Sequence, residues 1–159
     1  MKKILILLVS AGGGHAASAK AISEAVDHCY RGQVSTGIVD VAKEHGFRPV
    51  TRMDEAYRWL QKDGIWLWKL LWRQDRAWLT EAVLRMAYPM FSRSIERIYA
   101  REQPDLVVSV NSLVNHIPLR VLRKTVEVRI PFVTVVTDMV TVHSSWCCPR
   151  VDYCMVPTE

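Results

Sequence analysis

The chain opens on an unbroken apolar run, Ile4-Leu5-Ile6-Leu7-Leu8-Val9. Without polar alternation, such a run marks a strand covered on both faces, as in parallel sheets. It ends at Ser10-Ala11-Gly12-Gly13-Gly14-His15, and the spacing then turns helical: Ile22, Ala25, Val26 and Cys29 fall at i, i+3, i+4, i+7. That pattern predicts a first strand over 3–9 and a helix over 15–30 with those four residues buried. Arg31-Gly32 closes the helix. A stretch rich in β-branched residues over 33–39 predicts a second strand ending at Asp40, and 41–45 a short helical turn before Gly46 and Pro49.

The middle of the chain reads as a long helical region over 51–101, broken at Asp63-Gly64 and near Pro89, and ended by Pro104. A third strand follows over 105–110, a turn at Asn111-Ser112, a helix over 115–127, and a fourth strand over 132–137 running into Asp138. Residues 151–156 form the last strand, stopped by Pro157. Apolar strands alternating with helices predict an α/β fold, a Rossmann-like parallel sheet with helices on both faces, in one domain over 1–159. In such sheets ligands sit beyond the carboxyl ends of the strands. Ser10 to His15, Asp40, Asn111 to Asn115 and Asp138 to Trp146 all fall there.

Half of the residues are hydrophobic and 23% charged, which excludes a disordered chain. The balance of 21 basic to 16 acidic residues, a formal +5, favours anionic partners. Cys29, Cys147, Cys148 and Cys154 lack disulfide-framework spacing, which points to a reducing cytosol. Lys2-Lys3 before the apolar run imitates a signal peptide, but the run is shorter than the roughly 7–15 residues of an h-region and meets a glycine turn. No stretch approaches the ~20 apolar residues of a spanning helix, so a membrane would be met from one side.

Three clusters carry candidate chemistry. The turn Gly12-Gly13-Gly14 before a helix N-terminus favours negative charge or a developing oxyanion, and His15 at its mouth is a candidate general base. Alone, Gly12-x-Gly14-x-x-Ala17 with Asp40 also satisfies the looser dinucleotide fingerprint, a nicotinamide-dependent oxidoreductase reading that does not call for His15. In the second cluster, Asp138, His143 and Trp146 can set a carboxylate, an imidazole and an indole around one cleft; the plainer reading is a helix cap and a satisfied surface histidine. His143-x3-Cys147-Cys148-x5-Cys154 invites a metal, but adjacent cysteines rarely share one tetrahedral ion, and no metal is expected. The third cluster holds Trp59, Trp66, Trp68, Trp72 and Trp78 interleaved with Arg58, Lys62, Lys69, Arg73 and Arg76. Indoles and basic side chains suit a lipid headgroup layer; the alternative is a core-facing helix. Asp63, Asp75 and Glu81 interrupt the basic groove that nucleic acid would need.

Ser10-Ala-Gly-Gly-Gly-His15 with 16–21, Pro104-Asp-Leu-Val-Val-Ser-Val110, His116-Ile-Pro-Leu-Arg120-Val-Leu-Arg123 and Thr137-Asp138…His143…Trp146 occur here in one order. Together they resemble the N-terminal domain of monogalactosyldiacylglycerol synthases and of the related bacterial processive diacylglycerol glycosyltransferases. More broadly they resemble the lipid-acceptor half of the peptidoglycan glycosyltransferase acting on lipid I. The resemblance implies the N-terminal half of a two-domain GT-B glycosyltransferase that moves a hexose from a UDP-sugar to diacylglycerol with inversion. No cofactor or metal is implied, the UDP-sugar being the donor substrate, and no nucleic acid partner. His15 takes the role of proposed base, with Asp138 and Trp146 near the acceptor. Gly12, Gly13, Gly14, Asn111, His116 and His143 complete the loop cluster beside acceptor and phosphate. The Trp-rich segment, with Trp66, Trp68, Lys69, Trp72 and Arg73, is implied to touch anionic membrane lipid. The nucleotide-sugar domain is absent from 1–159 and is expected downstream or in a separate chain, and the protein is expected in the cytoplasm, peripheral on the inner face of the cell membrane. A non-catalytic lipid-binding module is the remaining alternative.

Overall fold

The computed structural model describes residues 1–10, 13–45, 52–66, 77–125, 128–138 and 142–157. Five parallel strands form one sheet: β1 (Lys2–Leu8), β2 (Val34–Asp40), β3 (Leu106–Ser109), β4 (Phe132–Val135) and β5 (Tyr153–Met155), in the order β2-β1-β3-β4-β5. Among the described residues the helices are α1 (Gly14–Cys29), α2 (Val41–Glu44), α3 (Met53–Lys62), α4 (Ala77–Glu102) and α5 (His116–Thr125), with 3₁₀ turns at Ser112–Val114 and Ser144–Trp146. The α/β parallel sheet expected from the sequence is present. From β1 the chain crosses to β2 on one side, then returns to β3 on the other, so the strand order reverses between β1 and β3. In open parallel sheets a reversal of this kind is where a ligand crevice forms, at the carboxyl ends of the strands.

The opening apolar run divides between two cores because successive side chains of a strand point to opposite faces. Leu5, Leu7 and Val9 pack with Ile95, Ile98 and Tyr99 of α4 and with Leu119, Val121 and Leu122 of α5. Ile6 and Leu8 pack with Val108, Val110, Val133 and Ala19 of α1. Ala19 is the one fully buried residue of α1, with Ile22 half-buried against the sheet, while Ala25 and Cys29 are exposed. The contact stripe is therefore rotated from the expected one and runs through positions 15, 19, 22 and 26. This rotation puts His15 at the top of the sheet-facing stripe. Gly32 takes a φ of +76° where the chain leaves α1, a torsion that glycine adopts without strain.

The expected break near Pro89 is absent: α4 runs through it without interruption. Pro89 is exposed, so water can satisfy the Arg85 carbonyl that loses its helical donor. The buried anchors Ser92, Ile95, Ile98 and Tyr99 hold the following turns. The strands β3, β4 and β5 are each shorter than the stretches expected, although flanking residues still bond across the sheet: Val110 N–H donates to the Leu7 carbonyl and Val136 N–H to the Met155 carbonyl.

Carboxylates pin the amino-terminal edge of the sheet. Asp105, just before β3, accepts from the Lys3 N–H of β1 at 2.8 Å. Asp152, just before β5, accepts from the Phe132 N–H of β4 at 2.7 Å and from the guanidinium groups of Arg123 and Arg129. Burial works against the Asp152 charge, but the bonds from Arg129, Phe132 and Arg123 outweigh it and hold the carboxyl down at about 2, from an ordinary 3.8. A depressed carboxyl stabilises the fold above its unfolded pKa and loses that contribution as pH falls toward the folded value. Asp152→Asn is expected to lower unfolding free energy at neutral pH by roughly 1–2 kcal/mol. Urea titrations should show this difference shrinking between about 3.8 and about 2; a difference that persists unchanged below that window would contradict the linkage.

Candidate functional site

At the carboxyl edge the polar groups belong to the candidate loops. Gly13 caps α1 without a side-chain hydrogen bond, and the first turn of the helix holds no acidic residue. Gly13 has a φ of −86°, and a Cβ at Gly13 or Gly14 would meet no atom within 4 Å. Neither backbone torsion nor internal crowding demands glycine at these two positions; their effect is to put no side chain of their own at the helix N-terminus. Gly12 lies outside the described residues.

His15 Nδ1 lies 2.9 Å from Thr137 Oγ1, two residues past β4. The imidazole is half-buried, and no described residue hydrogen-bonds its Nε2. Trp146 stands beside it, with ring centroids 6.4 Å apart and planes at 53°. The indole is almost fully buried and donates its Nε1–H to Asp138 Oδ2 at 2.6 Å. The first α1 turn, the end of β4 and the 144–146 turn thus bring His15, Thr137, Asp138 and Trp146 into one cluster. Asp138 is bonded to the indole; the group on the imidazole is its neighbour Thr137. Nothing in the local sequence marks that hydroxyl, because its partner lies 122 positions away.

The other candidate residues support this cluster from behind. His143 accepts from the Ser145 N–H at 3.1 Å through Nδ1, capping the 3₁₀ turn that carries Trp146. His116 donates Nε2–H to the Ser145 carbonyl at 3.0 Å. Burial lowers its pKa, with Arg150 acting the same way against the opposing Ser145 bond, so the neutral imidazole is favoured. Asn111 is buried, and its side chain accepts from the Leu113 N–H at 2.9 Å. Cys148 is a core residue whose thiol burial pushes up.

Asp40 bears on the dinucleotide reading. Its Oδ1 accepts from Ala42 and Lys43 N–H, and its Oδ2 from Ser10 N–H at 3.3 Å. The carboxylate that a ribose would need is engaged in capping α2 and holding the end of β1.

Two surface features complete the picture. A groove of about 750 Å³ between α4 and α5 is lined by Arg85, Tyr88, His116, Arg120, Lys124 and Arg150 among others. Arg120 and Lys124 lie 4.3 and 5.3 Å from the Tyr88 ring centroid. Neither they nor Arg150 pair with a carboxylate among the described residues. Farther along, Trp59 is 52% and Trp66 66% exposed, which excludes core packing for these two indoles. Trp68, Lys69, Trp72 and Arg73 lie outside the described residues. Among the described residues no helix is long and apolar enough to cross a membrane.

Comparison with known proteins identifies the family. A family model described as monogalactosyldiacylglycerol (MGDG) synthase matches residues 15–159. The chain is 32% identical over 160 residues to monogalactosyldiacylglycerol synthase 2, chloroplastic, of Arabidopsis thaliana, covering 99% of this chain and 34% of that protein. It is 35% identical to the probable monogalactosyldiacylglycerol synthase, chloroplastic, of Nicotiana tabacum, covering 99% and 30%. The synthase of Spinacia oleracea, also named chloroplastic, is 34% identical with the same coverage. The chain therefore spans about a third of the length of these curated relatives. Their chloroplastic names overturn the expectation of a cytoplasmic protein on the inner face of the cell membrane. With the family match extending over residues 15–159 and these relatives aligned along nearly the whole chain, the protein belongs to the monogalactosyldiacylglycerol synthase family.

Proposed function

We propose that this chain is the acceptor-binding, base-carrying half of a GT-B glycosyltransferase that moves a hexose from a UDP-sugar to the free hydroxyl of diacylglycerol. The observation that carries the reading is the position of His15: it heads the sheet-facing stripe of α1 at the crevice, Nδ1 held by Thr137 and Nε2 unengaged among the described residues. Nε2 takes the hydroxyl proton as the acceptor oxygen forms its bond to the anomeric carbon. The bond from that carbon to the diphosphate breaks, and UDP leaves with the electron pair. Attack from the face opposite the leaving group inverts the centre.

The first N–H groups of α1, beside which Gly13 and Gly14 put no side chain, favour negative charge developing across the crevice. Trp146 forms an apolar wall beside the base, and Asp138 holds the indole in place. In this reading the nucleotide sugar is held by a second, donor-binding domain, and transfer requires both halves; the relatives are about three times as long as the matched segment. The capping role of Asp40 supports this reading over an oxidoreductase.

Membrane contact belongs to the same proposal. Exposed Trp66, the tryptophans and bases that follow it in sequence, and the formal +5 support contact with anionic lipid. The protein is expected to sediment with vesicles containing diacylglycerol and an anionic phospholipid. Replacing Trp66, Trp68 and Trp72 together with alanine should release most of it to the supernatant. Undiminished sedimentation of the triple variant would defeat the assignment of this segment.

A further inference from the structure

We infer that Thr137 is the positioning residue that sets the tautomer of His15, keeping the proton on Nδ1 and the lone pair on Nε2. The inference rests on the reading of His15 as base for its catalytic meaning, but its physical content stands on two contacts alone. Thr137 Oγ1 lies 2.9 Å from His15 Nδ1 and 3.3 Å from the carbonyl oxygen of Val110, where it donates. Val110 is fully buried at the end of the β3 segment. One hydroxyl therefore joins the start of α1, the end of β3 and the end of β4.

A hydroxyl has one proton to give, and a carbonyl can only accept. Both contacts are hydrogen bonds at once in a single arrangement: Thr137 O–H donates to Val110, and His15 Nδ1–H donates to Thr137 Oγ1. Turning the hydroxyl toward the imidazole would remove that donor from a buried carbonyl, the expensive kind of loss. With the proton fixed on Nδ1, neutral His15 is a base at Nε2, the nitrogen that no described residue engages.

The same arrangement suits the protonated ring. Gaining a proton at Nε2 leaves Nδ1–H donating to Oγ1, so neither Thr137 nor Val110 reorients during transfer. The network is organised for both states before the reaction begins. Asp138, one residue on, faces the Trp146 indole, so the partner of the imidazole is neutral. Such a partner orients the ring without adding a full charge beside it.

The test is a long-range ¹H–¹⁵N correlation spectrum of the His15 ring in this chain, recorded where the imidazole is neutral. Wild type should show Nδ1 at the protonated, pyrrole-type position and Nε2 at the pyridine-type position. Thr137→Ser, which keeps the hydroxyl, should show the same pattern. Thr137→Val, which keeps the shape and loses the hydroxyl, should shift the population toward Nε2–H. An Nε2–H ring in wild type, or a valine variant with an unchanged spectrum, overturns the inference. If the valine variant does not fold, the wild-type and serine spectra still decide. Failure here leaves His15 open as a base, whereas an active His15→Ala enzyme would remove the base and leave the tautomer assignment intact.

Discussion

Replacing His15 with alanine in an enzyme that includes the donor-binding half is expected to lower turnover by roughly 10²–10⁴-fold, the usual contribution of a positioned general base. That range corresponds to about 3–5 kcal/mol of transition-state stabilisation. The loss should fall on kcat with KM little changed, because the proton is in flight only in the transition state. The alanine leaves α1 intact, since position 15 lies at the end of the stripe, beyond Ala19, and carries none of the two buried cores. Steady-state transfer to diacylglycerol measures it. Wild-type turnover in the variant would remove the base.

Trp146→Ala is expected to destabilise the fold by roughly 3–5 kcal/mol, the range for truncating a large buried aromatic. The side chain is only 4% exposed, so nearly all of its surface leaves water on folding. Its loss also takes the Nε1–H from Asp138, whose carboxylate accepts that bond at 2.6 Å. Trp146→Phe separates the two effects. It keeps most of the apolar bulk and loses the donor, so its cost should be smaller, roughly 1–3 kcal/mol. Urea unfolding of the chain gives both values. An alanine variant within about 0.5 kcal/mol of wild type, the range of ordinary surface changes, would show that the indole anchors nothing.

The sheet was legible because strand and turn chemistry are local. The apolar run without alternation marks β1 as a strand buried on both faces, and shorter apolar or β-branched stretches set among helices yield the rest of a parallel sheet. The strand ends were legible for the same reason, and with them the candidate loops at the crevice. The face of α1 was harder to read. Ala25 and Cys29 count as apolar in a periodic pattern, but the sheet contacts the stripe through Ala19 and Ile22, and only packing decides between two adjacent stripes. Pro89 misled in the opposite direction: a missing N–H is tolerated where the orphaned carbonyl meets water.

Within the crevice, single residues could be named from sequence but their pairings could not. Asp138 and His15 were natural partners by residue type. The fold instead gives Asp138 to an indole eight positions away and gives the imidazole to Thr137, across 122. His143, His116 and Asn111 are chemistry-bearing residue types, yet each is bonded to backbone that shapes the loops. Polar residues at the ends of parallel strands either cap or react, and local sequence looks the same in both cases.

The pH dependence of kcat/KM for hexose transfer to diacylglycerol, compared between the intact enzyme and its His15→Gln variant, tests the role of His15 most directly. This ratio reports the ionisation of essential groups in the free enzyme. His15 as base predicts a rate that falls on the acid side in wild type, and a low rate lacking that limb in the variant. A variant that keeps both the wild-type rate and the same acid limb would show that another group receives the proton.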